Sequence, residues 1–405
     1  MRVKKIQLLF LMVCCCFLLS VFTGSGYVIF GYEAEMMALL SVIMLLDAFG
    51  NKRIFNFEWE NLEVVLYLLQ ILLMAWQVCF HSQYPNKTMI FLIRHITMLP
   101  LVVVTIDEKY AYKLIKLSEY YVFIIDIVYL AMWPFRGNNG SFINSYQYVA
   151  AYSSILVIII LAKMFTMSAF SRKDICLLMI ALLVLIMTGK RSYLIVLMIV
   201  FLSGILFIRG KKKIQRLIRI MVPILIAGGT ILMFNPKILS AFARFSELNA
   251  DRTLSGRTKL WTLAEYLWKL DFWTGTGYGS FSSFTTDHMA YVYSNFGVQR
   301  TYAAHNIYLQ LLAETGIVGF CLFCAFFIVA LIGSIKLLKQ IEKSEFELRY
   351  LATVALFLQM WFLMYGMSGN PLYMPGQFGM YLFGVLIIRS VARTKHKIEC
   401  EKMYE

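Results

Sequence analysis

Long apolar segments recur along almost the entire chain, and most of them are long enough to cross a bilayer as helices. Twelve such segments are predicted, at residues 6–23, 30–49, 62–80, 89–106, 112–133, 146–166, 174–189, 192–208, 217–234, 305–333, 350–366 and 375–391. A soluble domain could not bury so much apolar surface. The pattern therefore predicts an all-α, polytopic membrane protein in which residues 1–405 form a single integral membrane domain.

Composition agrees with this interpretation, because 60% of the residues are hydrophobic and the mean hydropathy is +0.70. The second and fifth segments are the weakest predictions. The second contains Glu33 and Glu35, and the fifth contains Asp126 and three other charged side chains. An acid inside the membrane can mark an ion path, but a paired or snorkelling acid is an equally good interpretation.

The positions of the basic residues predict the orientation of the chain. The formal net charge is +15, and most of the excess falls in short loops that are cytoplasmic if both termini are inside. The short outer loops then hold only Lys87, Arg136, Lys190 and Arg191. This distribution follows the positive-inside rule, so we expect about twelve transmembrane helices with both termini in the cytoplasm. It also accounts for the charge without nucleic acid as a partner.

A large extracytoplasmic loop, residues 235–304, is predicted between the ninth and tenth helices. Its middle, residues 257–270, has helical periodicity with one apolar face and with Trp261 and Trp268 beside it. Such a short amphipathic helix suits the bilayer interface, and packing onto the helix bundle is an equally good interpretation. Gly275, Gly277 and Gly279 follow the helix, and we expect them to form a flexible turn.

Three cations are out of place on the outer face, where the positive-inside rule works against basic residues in short loops. Lys190 and Arg191 occupy the tight turn between the seventh and eighth helices, and Arg257 opens the helix of the outer loop. Their presence suggests that they hold an anion, and a phosphate suits the planar fork of arginine. Ordinary contact with lipid headgroups is the alternative.

His305 is the second candidate, because it lies at the outer N-terminus of the tenth helix. The helix dipole there favours a neutral imidazole that can accept a proton. A hydrogen-bonded packing role is the alternative. Asn306 can cap the helix or bind a sugar hydroxyl. Glu314, nine residues further on, falls on the opposite helical face, so we expect no direct dyad between His305 and Glu314.

Three runs of residues resemble the O-antigen ligase/polymerase superfamily, which includes O-antigen ligases and Wzy-type polysaccharide polymerases. They are Ser255-Gly256-Arg257-x3-Trp261, then Gly275-x-Gly277-x-Gly279-x-Phe281, and His305-Asn306-x-Tyr308-Leu309-x4-Glu314-x-Gly316-x2-Gly319. The resemblance implies a glycosyltransferase on the outer face of the cytoplasmic membrane. Its donor would be a glycan on a polyprenyl (undecaprenyl) pyrophosphate, and neither a metal nor another cofactor is expected.

The resemblance also implies roles for individual residues. Arg191 and Arg257 would hold the departing pyrophosphate, and His305 would activate or orient the acceptor hydroxyl. The further residues expected to bind substrate are Lys190, Asn306, Tyr278 and Arg300.

Several functions remain open at this point. The first hypothesis is a polymerase that joins lipid-linked repeat units into a capsule, an exopolysaccharide or O-antigen, with a chain-length regulator and a flippase as pathway partners. The same chemistry with lipid A or another acceptor would make the protein a ligase. A transporter or flippase of lipid-linked sugars is the alternative from another class, and Asp126 is the residue that would favour it.

Overall fold

The computed structural model describes residues 42, 44, 55–57, 61–132, 146–166, 171–207, 254–298, 303–342 and 344–404. The first segment, most of the second, and the ninth segment with the first part of the outer loop lie outside these residues. The helices in the described part, in chain order, are α1 (Leu62–Trp76), α2 (Pro85–Met98), α3 (Pro100–Val103), α4 (Glu108–Met132), α5 (Tyr146–Thr166), α6 (Arg172–Met187), α7 (Arg191–Phe207), α8 (Leu254–Leu270), α9 (Phe281–Asp287), α10 (Met289–Phe296), α11 (Ile307–Gln340), α12 (Phe346–Gly366) and α13 (Pro375–Tyr404).

These helices are consistent with the predicted all-α membrane protein. Within the described residues, 5 spans are long and apolar enough to cross a bilayer: Leu62–His81, Pro85–Val103, Gln147–Thr166, Ile307–Gln340 and Phe346–Gly366. The first of these continues α1 through a π-helical turn, Gln77–His81. The number of twelve helices and their orientation stay predictions.

A short β-ladder interrupts the predicted all-helical pattern. Strands β1 (Phe55–Phe57) and β2 (Val104–Ile106) pair antiparallel, with Asn56 opposite Thr105. The segment 89–106 was expected to be one helix, and this expectation is wrong at its C-terminal end. Residues 102–106 are all β-branched, and such side chains restrict χ1 in a helix and favour extended backbone.

Two helices form the centre of the described bundle. The apolar window of α5 is 94% buried and that of α12 is 89% buried, whereas those of α1 and α11 are 28% and 33% buried. Helix α11 packs against α1, α8 and α12. The N-terminus of α11 is therefore held between the outer-loop helix and the central helix, which places His305 at their junction.

Candidate active site

Three segments that are far apart in the sequence bring two cations and an imidazole together. Lys190 lies in the turn between α6 and α7, Arg257 lies in the first turn of α8, and His305 precedes α11. The charge of Arg257 acts on both Lys190 and His305, and that of Lys190 also acts on His305. The structure thus groups three of the predicted residues, and we call Lys190, Arg257 and His305 the cationic site.

A glycine sets the turn that carries Lys190. Gly189 has a φ of +66°, a left-handed conformation that glycine adopts without the steric cost of a Cβ. Its N–H donates to the carbonyl of Ile186 at 3.0 Å, and the N–H of Tyr193 donates to the carbonyl of Lys190 at 3.2 Å. Helix α6 therefore ends and α7 begins within a few residues, with Arg191 as the first residue of α7.

The electrostatics of the cationic site favour an anion. Burial, and then the charge of Arg257, lower the pKa of Lys190. Neither Lys190 nor Arg257 has an ion-pair partner among the described residues, although several other lysines do. Half-buried like charges without a counter-ion are unfavourable. A bound phosphate group would remove this cost, because its oxygens can accept hydrogen bonds from both side chains.

The surroundings of His305 disfavour the protonated form of its imidazole. Burial lowers its pKa first, and the charges of Arg257 and Lys190 lower it further. The adjacent N-terminus of α11 acts in the same direction, since its partial positive charge disfavours imidazolium. A neutral imidazole can accept a proton. His305 can therefore act as a base toward a hydroxyl that enters this site.

The backbone of His305 is unusual. Its φ of +53° is left-handed, and within the described part of the chain it is the single non-glycine residue with a positive φ. Such a conformation costs about 1–3 kcal/mol and persists where surrounding contacts impose it. The preceding residue supplies these contacts: Trp261 Nε1 donates to the carbonyl of Ala304 at 3.1 Å, and the N–H of Ala304 donates to Gln310 Oε1 at 3.0 Å.

Asn306 caps α11. Its Oδ1 accepts from the N–H groups of Tyr308 at 3.0 Å and Leu309 at 3.2 Å, as an N-cap side chain does. Of the two roles expected for Asn306, the structure therefore shows the capping role. Tyr308 anchors the same turn, because its hydroxyl donates to the carbonyl of Leu363 in α12 at 2.8 Å.

A tyrosine pair beside the cationic site was missed by sequence reasoning. Tyr193 and Tyr365 stack with ring centroids 4.3 Å apart, and Gln147 Nε2 donates to the Tyr365 hydroxyl at 3.3 Å. The charge of Arg257 acts on the hydroxyl of Tyr365. Aromatic residues in apolar helices are common, so nothing in the sequence marked these two. Tyr365 therefore lies within electrostatic range of Arg257.

Two predicted substrate-binding residues are not part of the cationic site as described. Tyr278 is fully buried, and its ring stacks on Phe323 at 5.6 Å and on Tyr373 at 5.3 Å between centroids. Its N–H donates to Gln77 Oε1 at 3.1 Å. This placement supports a packing role and gives Tyr278 no surface for a substrate. Arg300 lies outside the described residues.

The glycine turn, Gly275 to Gly279, packs closely against α11, which differs from the expectation of a flexible turn. Its backbone is bonded to α11: the N–H of Thr276 donates to the carbonyl of Ala313 at 3.1 Å, and that of Gly277 to the carbonyl of Glu314 at 2.8 Å. Gly275 has a φ of +69°, and a Cβ there would collide with the backbone of residues 314–316. The glycines permit close contact between two backbones.

The carboxylate of Glu314 completes the attachment of this turn. It is fully buried and accepts from the N–H groups of Gly279 at 2.7 Å and Phe281 at 3.0 Å. It also accepts from Tyr373 Oη at 2.6 Å and Gln310 Nε2 at 3.0 Å. These four bonds direct Glu314 to the glycine turn and away from His305, as its helical position predicted.

Comparison with protein-family models gives a match over residues 176–324, to the family described as O-Antigen ligase. These residues form an O-antigen ligase family domain. The match confirms the resemblance to the O-antigen ligase/polymerase superfamily. The domain extends from α6 into α11 and includes Lys190, Arg191, Arg257 and His305. A search of curated proteins finds no match to the chain.

The matched family is associated with one general kind of chemistry. Enzymes of this family are glycosyltransferase-like ligases and polymerases that act on lipid-linked glycans in membranes, in polysaccharide biosynthesis. The cationic site lies within this domain, whereas Tyr365 and Gln147 lie beyond its ends. The matched domain thus contributes the charged groups and Tyr193, and a helix outside it contributes Tyr365.

Proposed function

We propose that the protein is a polymerase of polyprenyl-pyrophosphate-linked oligosaccharide repeat units on the outer face of the cytoplasmic membrane. The observation that carries the proposal is the convergence of Lys190, Arg257 and His305 from three separate segments of an O-antigen ligase family domain. Two cations with no carboxylate partner in the described part of the chain suit a pyrophosphate, and a neutral imidazole beside them suits an acceptor hydroxyl.

The reaction that this arrangement supports is a single displacement. The acceptor hydroxyl attacks the anomeric carbon of the donor glycan, and the bond between that carbon and the pyrophosphate oxygen breaks. The polyprenyl pyrophosphate leaves with the bonding electron pair, and the hydroxyl proton passes to His305. Arg257, Lys190 and the adjacent Arg191 stabilise the charge that develops on the leaving group. General-base assistance from His305 adds a factor on the order of 10²–10⁴.

An assay of polymer length in the native host tests the proposal. The variants are His305→Ala and Arg257→Ala, each compared with wild type at equal membrane levels. Loss of long polymer, with single lipid-linked repeat units still made, is the expected result. Removal of one preorganised hydrogen-bond donor typically lowers a rate on the order of 10²–10³-fold, and each variant should lose a similar factor in transfer rate.

Two matched controls separate the site from its surroundings. Lys259→Ala removes a cation from α8 two residues beyond Arg257, where the exposed Lys259 Nζ contacts the carbonyl of Gly297 at 3.5 Å. His288→Ala removes an exposed histidine of the outer loop. Both should leave polymer length unchanged.

Other outcomes would redirect the proposal. Full-length polymer that is made but not attached to its acceptor would identify a ligase. Unaltered polymer in both site variants would contradict a catalytic role for the cationic site. The transporter hypothesis would then become the stronger one, with Asp126 as the residue that favours it. Asp126 is buried and accepts a hydrogen bond from Ser153 Oγ at 2.5 Å.

A further inference from the structure

We propose that Gln310 is a positioning residue for His305, and that it ties the conformation of the proposed base to Glu314 and the glycine turn. This inference rests on the proposed function, since it identifies a residue that holds part of the same site in position. It concerns residues that touch neither the pyrophosphate nor the reacting hydroxyl.

The first link joins Gln310 to the residue before His305. Gln310 is buried in the first turn of α11, and its Oε1 accepts from the N–H of Ala304 at 3.0 Å. Asn370, in the connection between α12 and α13, donates through Nδ2 to the same oxygen at 2.6 Å. The carbonyl on the other side of Ala304 accepts from Trp261 Nε1 at 3.1 Å. The peptide groups on both sides of Ala304 are therefore fixed by side chains.

The orientation of the Gln310 amide is set by its partners. A backbone N–H can only donate, so the amide oxygen must face Ala304, and the amide nitrogen must then face Glu314. That nitrogen donates to Glu314 Oε1 at 3.0 Å. Because Glu314 also accepts from Gly279 and Phe281, one continuous chain of buried hydrogen bonds runs from the glycine turn to Ala304.

This chain of bonds accounts for the left-handed backbone of His305. A histidine with a φ of +53° would relax to a more ordinary conformation if its neighbour were free to rotate. Gln310 and Trp261 hold Ala304 from opposite sides, and Asn306 holds the next residue through the cap of α11. The imidazole is thereby presented to Arg257 and Lys190. In catalysis, a displacement of about 1 Å at such a group can reduce the rate on the order of 10²-fold.

The experiment compares Gln310→Leu and Gln310→Glu with wild type. Gln310→Leu removes all three hydrogen bonds of this side chain, to Ala304, Asn370 and Glu314, at similar volume. Gln310→Glu keeps an oxygen for Ala304 but places a second oxygen against the Glu314 carboxylate. Each variant should lower the kcat for transfer on the order of 10–100-fold, with little change in the KM for the lipid-linked donor. The pair Gln310→Glu with Glu314→Gln restores a donor opposite an acceptor, and should recover part of the loss of Gln310→Glu.

A readout independent of activity follows His305 itself. In detergent-solubilised protein, the rate of carbethoxylation of His305 by diethylpyrocarbonate is measured against pH by mass spectrometry. In both single variants we expect faster modification and a midpoint at higher pH, because the released imidazole becomes more hydrated. His288, exposed in the same protein, is the internal standard and should not change.

Two further variants keep the test decisive. Gln359→Leu removes another buried glutamine, which bonds Ser334 at 3.0 Å, and should alter neither kcat nor the modification of His305. Trp261→Phe removes the hydrogen bond to the carbonyl of Ala304 while keeping an aromatic ring. It should show the faster modification of His305 that is expected of Gln310→Leu. It therefore provides the same test if Gln310→Leu does not fold.

The results distinguish this inference from the proposed function. Wild-type modification of His305 in folded Gln310→Leu and Trp261→Phe would overturn the positioning role, whatever the activity. Full activity of His305→Ala would instead overturn the proposed function. A KM increase with unchanged kcat would place Gln310 in donor binding and not in the positioning of His305.

Discussion

Lys163 and Lys190 are both partly buried lysines, but their surroundings are opposite. Lys163 in α5 lies 2.5 Å from Glu119 Oε1 and 3.3 Å from Asp174 Oδ1. Lys190 has a second cation, Arg257, as its charged neighbour and no carboxylate partner in the described part of the chain. The first lysine is neutralised by the protein itself and joins α4, α5 and α6. The second has no such neutralising group among the described residues, which is the surrounding that the proposed binding of a pyrophosphate requires.

The largest expected effect comes from exchanging each lysine for methionine. Lys163→Met leaves two buried carboxylates without their cation, and loss of one partner of a buried pair costs about 3–5 kcal/mol. Lys190→Met removes a like-charge contact, so it should keep or raise stability while reducing transfer. Melting temperatures in detergent, together with transfer rates per folded protein, measure both effects. Equal destabilisation by the two variants would remove the distinction.

Arg257→Lys tests the geometry of the anion site at constant charge. Lysine lacks the planar fork that bonds two phosphate oxygens, and we expect transfer to fall about tenfold, which corresponds to the loss of roughly one charge-assisted hydrogen bond. Folding should be unaffected. The assay is the transfer rate with Lys259→Arg as the matched control. Wild-type activity in Arg257→Lys would show that charge alone suffices.

The smallest expected effect is a displacement of the pH profile. A base must be neutral to act, and the pKa of His305 is lowered by burial and by Arg257 and Lys190. The acid limb of kcat/KM should therefore lie below the ordinary histidine value of about 6.5. Lys190→Met removes one cation, so the pKa of His305 rises and the acid limb moves to higher pH. An acid limb that stays in place would show that Lys190 does not act on His305.

Local patterns in the sequence predicted much of the fold. The apolar segment 146–166 coincides with α5, and the periodicity of residues 257–270 predicted most of α8. These predictions succeed because hydrophobic spacing is a local property of the chain. The strand Val104–Ile106 was missed, since a long apolar run conceals the preference of its β-branched end for extended backbone.

The candidate site was predicted less completely, because its arrangement depends on contacts distant in sequence. Charge in an unexpected loop identified Lys190 and Arg257, and position at a helix N-terminus identified His305. Nothing local reveals that Trp261 reaches Ala304 or that Glu314 holds Gly279. Tyr278, which stands between Gly277 and Gly279 of the motif, was expected to bind substrate. In the structure those glycines serve backbone contact, and Tyr278 fills the space beneath them.

The contact between the glycine turn and α11 has a consequence for protein engineering. A Cβ on Gly275 would collide with the backbone of residues 314–316, and a Cβ on Gly316 would collide with the backbone of Trp273 and Thr274. The backbones of the two segments are therefore in direct contact at these positions, with no side chain between them that could adjust to a change in either segment. Exchange of the outer loop between two related enzymes would have to carry the first turns of α11 with it, since a junction at residue 304 separates two halves of one fitted unit.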